Sequence, residues 1–213
     1  MKVLNNFFKV FLLACFLFSS SLSAEEVLKP KEGFDFSQIK TIPILHKGRH
    51  KPLDTFARET VRRITGSETF QGFEAIELLF SWLTYTDQWE EVPLIKIHYR
   101  PLIKHLQLKT QDNMISPKDL SQSAEFNLFY ETVRSMQESG QKLGELEREG
   151  AILVDRLGLF RQIASGESLT LFPSSDNQWE SLANLAARYP STSLSEAPPL
   201  NEAKVALGVQ ALL

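Results

Sequence analysis

Apolar positions recur at helical spacing along most of the chain, and the clearest run begins just after a proline. Leu53, Phe56, Ala57, Val61 and Ile64 fall on one helical face, while Arg58, Arg62 and Arg63 fall largely on the other. Pro52 suits a first helical position, and Gly66 can close the helix in a left-handed conformation. A second helix is predicted from about residue 73 to residue 85, with Phe73, Ile76, Leu79, Phe80 and Leu83 as its apolar stripe. Asp87 and Trp89 are expected in a turn after it. Ahead of these helices, residues 25–41 read as an extended lead-in. Thr41-Ile42-Pro43-Ile44-Leu45 is a strand or an extended segment, which Pro43 confines to a sheet edge or to no sheet at all.

Residues 92–97 are apolar but too brief to assign. Pro101 is expected to start a helical turn running to Leu106, and Ser116-Pro117 is a good N-cap and first-turn pair. From about residue 123 to residue 163 the pattern is mostly helical. Phe126, Phe129, Val133 and Met136 make one stripe; Leu143, Leu146, Ile152, Leu153, Leu157, Phe160 and Ile163 continue it. Gly140, Gly144 and Gly150 weaken it by about 1 kcal/mol each against alanine, so one bent helix and two helices both remain open. Lys142 and residues 145–149 read as a solvated face. Residues 169–173 are expected to be extended and 179–187 helical.

The two ends break this pattern. Lys2 and Lys9 precede an unbroken apolar run of nine residues, Val10-Phe11-Leu12-Leu13-Ala14-Cys15-Phe16-Leu17-Phe18, and small residues lead to Ala24. That three-part order is the order of a secretory signal peptide, with cleavage best placed after Ala24. An uncleaved anchor is the alternative, but nine apolar residues fall well short of the roughly 20 that span a bilayer. Leu12-Leu13-Ala14-Cys15 is a faint lipoprotein box whose apolar core is too short. At the other end, residues 190–200 hold Pro190, Pro198 and Pro199 and read as a turn-rich linker. Residues 201–213 then start a helical pattern that stops with Val205, Val209, Leu212 and Leu213 uncovered, as in the front part of something longer. The expected organisation is therefore a signal peptide (1–24), an exported helical domain (25–189), and a linker with the start of a helix (190–213). The expected fold class is mainly α: an irregular helical domain with at most one or two short strands.

Composition narrows the chemistry. Cys15 is the only cysteine and lies in the segment expected to be lost, which excludes a disulfide scaffold, a Cys-ligated zinc site and a thiol redox enzyme. Removing 24 of 213 residues leaves 189, enough for one ordinary domain. Removing Lys2 and Lys9 from 23 basic residues leaves 21 against 26 acidic ones, a net charge of −5, which argues against nucleic-acid binding. The basic residues are uneven, however. Lys47, Arg49, Lys51, Arg58, Arg62 and Arg63 cluster with only Asp54 and Glu59 among them.

No Gly-rich phosphate loop, nucleophile elbow or His-x-x-x-His metal pair on a helix is present. Of the four histidines, His46 and His50 lie in a polar loop. They read either as surface residues or, in an extended loop, as a pair facing one ligand; His98 and His105 have no assured common face. No metal site is expected and no catalytic residue stands out. The densest polar cluster is Arg49-His50-Lys51-Pro52-Leu53-Asp54-Thr55. It reads as a helix cap with a fixed turn, or as an anion site in which Arg49, Lys51 and free N–H groups at the helix start receive a carboxylate. Asp54 favours the helix dipole and can pair with Arg49 or Arg58.

The stretch Ile42-Pro43-Ile44-Leu45-His46-Lys47-Gly48-Arg49-His50-Lys51-Pro52-Leu53-Asp54-Thr55-Phe56-Ala57-Arg58 resembles a segment of large bacterial system II (Ccs/Res-type) cytochrome c biogenesis proteins, followed there by a helix ending in Thr-Gly, here Thr65-Gly66. Weaker echoes are Trp82 and Trp89, the Pro-Leu-Ile run at Pro93, Ser116-Pro117, Arg156-Leu157 with Phe160, and Phe172-Pro173 before Trp179. The resemblance implies an outer-side, periplasmic domain that assists haem delivery or attachment to apocytochrome c beside a membrane-embedded haem-handling protein. Arg49, Lys51, Asp54 and Arg58 are then the candidates for binding a partner or an anion, and His46 and His50 weak candidates for haem contact. Haem is expected only through the membrane partner, because the Trp-rich haem-handling loop and its flanking histidines are absent here. The alternative is an exported helical ligand-binding or structural protein unrelated to haem; an exported hydrolase is weakest, since no placed base or metal is evident.

Overall fold

The computed structural model describes residues 35–173 and 179–188. Residues 1–24, expected to be a signal peptide, and residues 190–213 lie outside the described residues, and among those described no helix is long and apolar enough to cross a membrane. The domain is mainly helical, as expected. Its strands, among the described residues, number six rather than one or two. They form three isolated antiparallel pairs, so no layered sheet results.

A 3-10 turn, Ile39–Thr41, leads into strand β1, Pro43–His46, which pairs with β2, Arg49–Pro52. Lys47 and Gly48 make the connection with φ of 51° and 74°. Two successive positive φ values form the tight turn whose twist matches a hairpin, and only glycine adopts the second without strain. Helix α1, Leu53–Thr65, follows directly, with Pro52 at its start and Gly66 in the left-handed conformation (φ 84°) at its end. Leu53, Phe56, Ala57, Val61 and Ile64 are buried along one face.

Helix α2, Ala75–Thr84, begins with a capping box. The Glu74 side chain accepts from the backbone of Glu77, while Glu77 reaches back to the Glu74 N–H at 2.9 Å. Asp87 and Trp89, expected in a turn, lie instead in a short helix α3, Thr86–Glu90. The Trp89 indole is fully buried and donates to Ser81 Oγ at 2.8 Å, which holds the chain in one more helical turn. Strand β3, Ile95–Lys96, pairs with β4, Met114–Ile115, on either side of helix α4, Arg100–His105. Ser116 caps helix α5, Pro117–Gln122, by accepting from the Asp119 N–H.

The long helical region is two helices: α6, Ala124–Glu138, and α7, Glu145–Ala164. Gly140 at φ 69° ends the first, and Gly144 stands at the start of the second. Within α7, Gly150 lets α6 approach closely, since a Cβ there would sit 2.1 Å from Phe129 Cε1. Ile152, expected in the apolar stripe, is 38% exposed, because Leu153, Leu157 and Phe160 turn the buried face away from it. Strand β5, Thr170–Pro173, pairs with β6, Trp179–Ser181. Trp179 thus begins a strand and not the expected helix. That helix, α8, Leu182–Arg188, starts after Ser181, whose Oγ accepts from the Asn184 N–H at 3.2 Å. One core unites these elements: α1 packs on α2 and α7, α2 on α7, and α6 on α7.

Candidate functional site: a cationic groove beside the hairpin

The hairpin register decides where its polar residues go. Ile44 pairs with Lys51, and His46 with Arg49, so these four side chains share one face; Leu45 and His50 share the opposite face. Ile44 is fully buried and fixes that first face toward α1. His46 rests edge-on against Phe56 at 5.0 Å, while His50 lies 4.8 Å from the Trp179 ring on the other side. The two histidines therefore cannot face one ligand. His105 stands edge-on to Phe129 at 5.6 Å.

Beside the first face runs an open groove of about 1100 Å³. Its walls are the hairpin (His46, Lys47, Arg49, Lys51), the outer side of α1 (Arg58, Glu59, Arg62, Arg63) and one face of α7 (Val154, Asp155, Gly158, Leu159). Of the sequence-derived candidates, Arg49, Lys51, Arg58 and His46 line it; Asp54 and His50 do not. Asp54 instead holds Arg58 by an i,i+4 ion pair at 2.8 Å in the first turns of α1.

The ion pairs sort the cations. Lys51 binds Glu59 at 2.5 Å, Arg62 binds Glu68 at 2.6 Å, and Arg63 reaches across to Asp155 of α7 at 2.7 Å. Lys47 and Arg49 are exposed and make no ion pair with any described residue. His46 is half-buried. Desolvation, aided by Lys51 and Lys47, holds its pKa below the ordinary 6.5, so the imidazole is neutral at pH 7. Beyond Arg63 the half-buried Arg156 donates from Nη1 to the Lys96 carbonyl. Burial lowers its pKa, but a guanidinium stays charged.

The α7 wall was not foreseen from the sequence. Asp155 lies 92 residues from Arg63, and no local pattern announces the pairing.

This arrangement can bind carboxylates or phosphates through Lys47 and Arg49, which have no ionic partner among the described residues. Among the described residues no group of three or more His, Asp or Glu could hold a metal ion. Of the groups haem presents, the propionates fit Lys47 and Arg49. Paired axial ligation by His46 and His50 does not fit, because the register parts them.

The class defined so far is a mainly helical domain with a β-hairpin that carries a cationic groove. No family model matches the chain. It is similar to Protein NrfI of Wolinella succinogenes, with 25% identity over 126 residues, covering 59% of this chain and 14% of NrfI. The chain thus corresponds to a small part of that relative.

Proposed function

We propose that the chain is an accessory domain of the cytochrome c biogenesis machinery, working on the outer side of the membrane. It assists haem delivery or attachment to apocytochrome c by binding a partner, with no catalytic step of its own. The groove meets the anionic groups of a membrane-embedded haem-handling protein, of apocytochrome c, or of haem itself. One observation carries the reading: in the segment resembling the system II proteins, a tight two-residue turn places Lys47 and Arg49 at the groove, where neither has an ionic partner among the described residues. The likeness to Protein NrfI points to the same process.

The test is affinity capture. Tagged full-length chain, expressed with the membrane haem-handling protein of its own cell, is expected to retain that protein at low salt and to lose it with Arg49→Glu. Retention falls as salt rises, because exposed charges are screened beyond about 8–10 Å at physiological ionic strength. If folded chain retains neither the membrane protein nor haem, with no Soret shift on titration, the accessory role is wrong. An exported helical binding protein unrelated to haem then takes its place.

A further inference from the structure

We infer that the groove receives a short acidic peptide segment of a partner protein, its carboxylates at the hairpin end and an apolar side chain over Gly158. The inference rests on the accessory-domain reading for the site and adds the chemistry of the occupant.

Charge comes first. Six cations line the groove, Lys47, Arg49, Lys51, Arg58, Arg62 and Arg63, against three carboxylates, Glu59, Glu68 and Asp155. Each carboxylate is already matched to one cation: Glu59 to Lys51, Glu68 to Arg62, and Asp155 to Arg63. Asp54, the partner of Arg58, lies outside the lining. The surplus therefore concentrates at the hairpin end, on Lys47 and Arg49. A ligand with carboxylates at one end and none at the other complements this gradient.

Shape comes second. The α7 wall offers half-buried Val154 and Leu159 with Gly158 between them. A Cβ built on Gly158 meets nothing within 4 Å, so there is room for an incoming side chain against an apolar wall. The lining spans residues 55–63 of α1 and 154–162 of α7. At 1.5 Å per helical residue each wall is about 12 Å long, which holds about four extended residues. A flat membrane surface reaches the exposed Lys47 and Arg49 but not the floor between two helices, which favours a peptide over a bilayer.

Full-length chain is titrated with a short fluorescein-labelled peptide of glutamates followed by leucines, with its glutamine counterpart, and with phosphatidylglycerol vesicles. The glutamate peptide is expected to bind and the glutamine peptide to bind at least about tenfold more weakly, since charge-assisted contacts are lost. Arg49→Glu is expected to weaken the glutamate peptide by a similar factor. Gly158→Trp fills the apolar seat and should abolish binding while the melting temperature stays near that of the parent. Equal binding of the two peptides, unchanged binding by Gly158→Trp, or vesicle binding that displaces the peptide overturns the inference. Capture of the membrane protein that depends on Arg49, with no peptide binding, sinks the acidic segment and leaves the accessory role standing; peptide binding without capture does the reverse.

Discussion

Helices α1 and α2 lie side by side, yet they face water in opposite ways. In α2, residues Ala75, Ile76, Leu78, Leu79, Phe80, Ser81 and Trp82 are all buried, so the helix is covered on almost every side. Trp82 stands edge-on to Phe160 at 5.6 Å, and Trp89 of α3 edge-on to Phe73 at 5.7 Å. In α1 the buried residues keep to one stripe, and Arg58, Glu59, Arg62 and Arg63 stand in water on the other. The difference bears on the resemblance to the cytochrome c biogenesis proteins. Trp82, Trp89, Leu94, Leu157 and Phe160, among its weaker echoes, are core residues here, and packing alone accounts for them. Lys47 and Arg49 are exposed and contribute nothing to the core. Packing does not require them, which leaves both free for the binding role proposed above.

The contrast predicts that core changes unfold the protein and groove changes do not. The largest effect is expected from Trp82→Ala, about 3–5 kcal/mol. That is a large share of the roughly 5–15 kcal/mol that hold a domain together. Urea unfolding measures it, and a loss below about 1 kcal/mol would show that α2 is not the closed centre described. Trp89→Phe should cost less, about 1–3 kcal/mol, by removing the donor to buried Ser81.

Two glycines of α7 sharpen the comparison within a single helix. Gly150→Ala forces a methyl to within 2.1 Å of Phe129 and should destabilise by about 1–3 kcal/mol. Gly158→Ala points into the groove, meets nothing within 4 Å, and should stabilise by up to about 1 kcal/mol, the ordinary gain in a helix interior. Opposite signs in thermal melts are expected. The same sign for both would mean that α7 does not divide a closed side from an open one.

These contrasts were unequally legible in the sequence. Helix α1 was readable at both ends, because Pro52, the apolar stripe and Gly66 agree with one another. The hairpin before it was not. Lys-Gly is a weak turn signal beside Asn-Gly, and a strand of Arg49, His50, Lys51 and Pro52 has none of the β-branched residues that mark strands. What made those residues a strand is the pairing with Ile44 and its burial on α1, a tertiary cause. The break between α6 and α7 was half-legible: three glycines marked weakness, but only the backbone at Gly140 separates two helices from one bent one. Of the groove, the cations of the hairpin and α1 were visible as a cluster. The α7 wall was not, since Val154, Asp155 and Gly158 meet them only through the fold. Local periodicity puts a helix start at Trp179, because the β5 partner that draws it into a strand leaves no local signal.

A smaller effect tests the groove face of the hairpin. His46 has its pKa held below 6.5 by burial and then by Lys51 and Lys47, so the unfolded chain binds its proton more readily than the folded one. Stability contributed by neutral His46 is complete above pH 6.5 and declines as the pH falls below that value. His46→Asn should flatten the stability profile on the acid side of 6.5 relative to the parent. His98, lowered by burial, Arg156 and Lys96, supplies a similar slope that remains in the variant. An unchanged profile would place His46 in water, away from Phe56.

The smallest effect on stability is expected where the groove is bridged. Arg63 reaches Asp155 at 2.7 Å through both Nε and Nη2, but the two side chains are about half exposed. Exposed pairs couple weakly, because water screens the charges and ordering two side chains costs entropy, so a double-mutant cycle of Arg63→Ala and Asp155→Ala should give under about 1 kcal/mol. The pair nevertheless sets the charge of the groove. Asp155→Ala removes a carboxylate and frees a guanidinium, and should tighten acidic-peptide binding, while Arg63→Ala should loosen it. A cycle with strong coupling in stability and none in binding would make the bridge a strut of the fold. The groove would then lose its claim to be the open, functional counterpart of the closed core around α2.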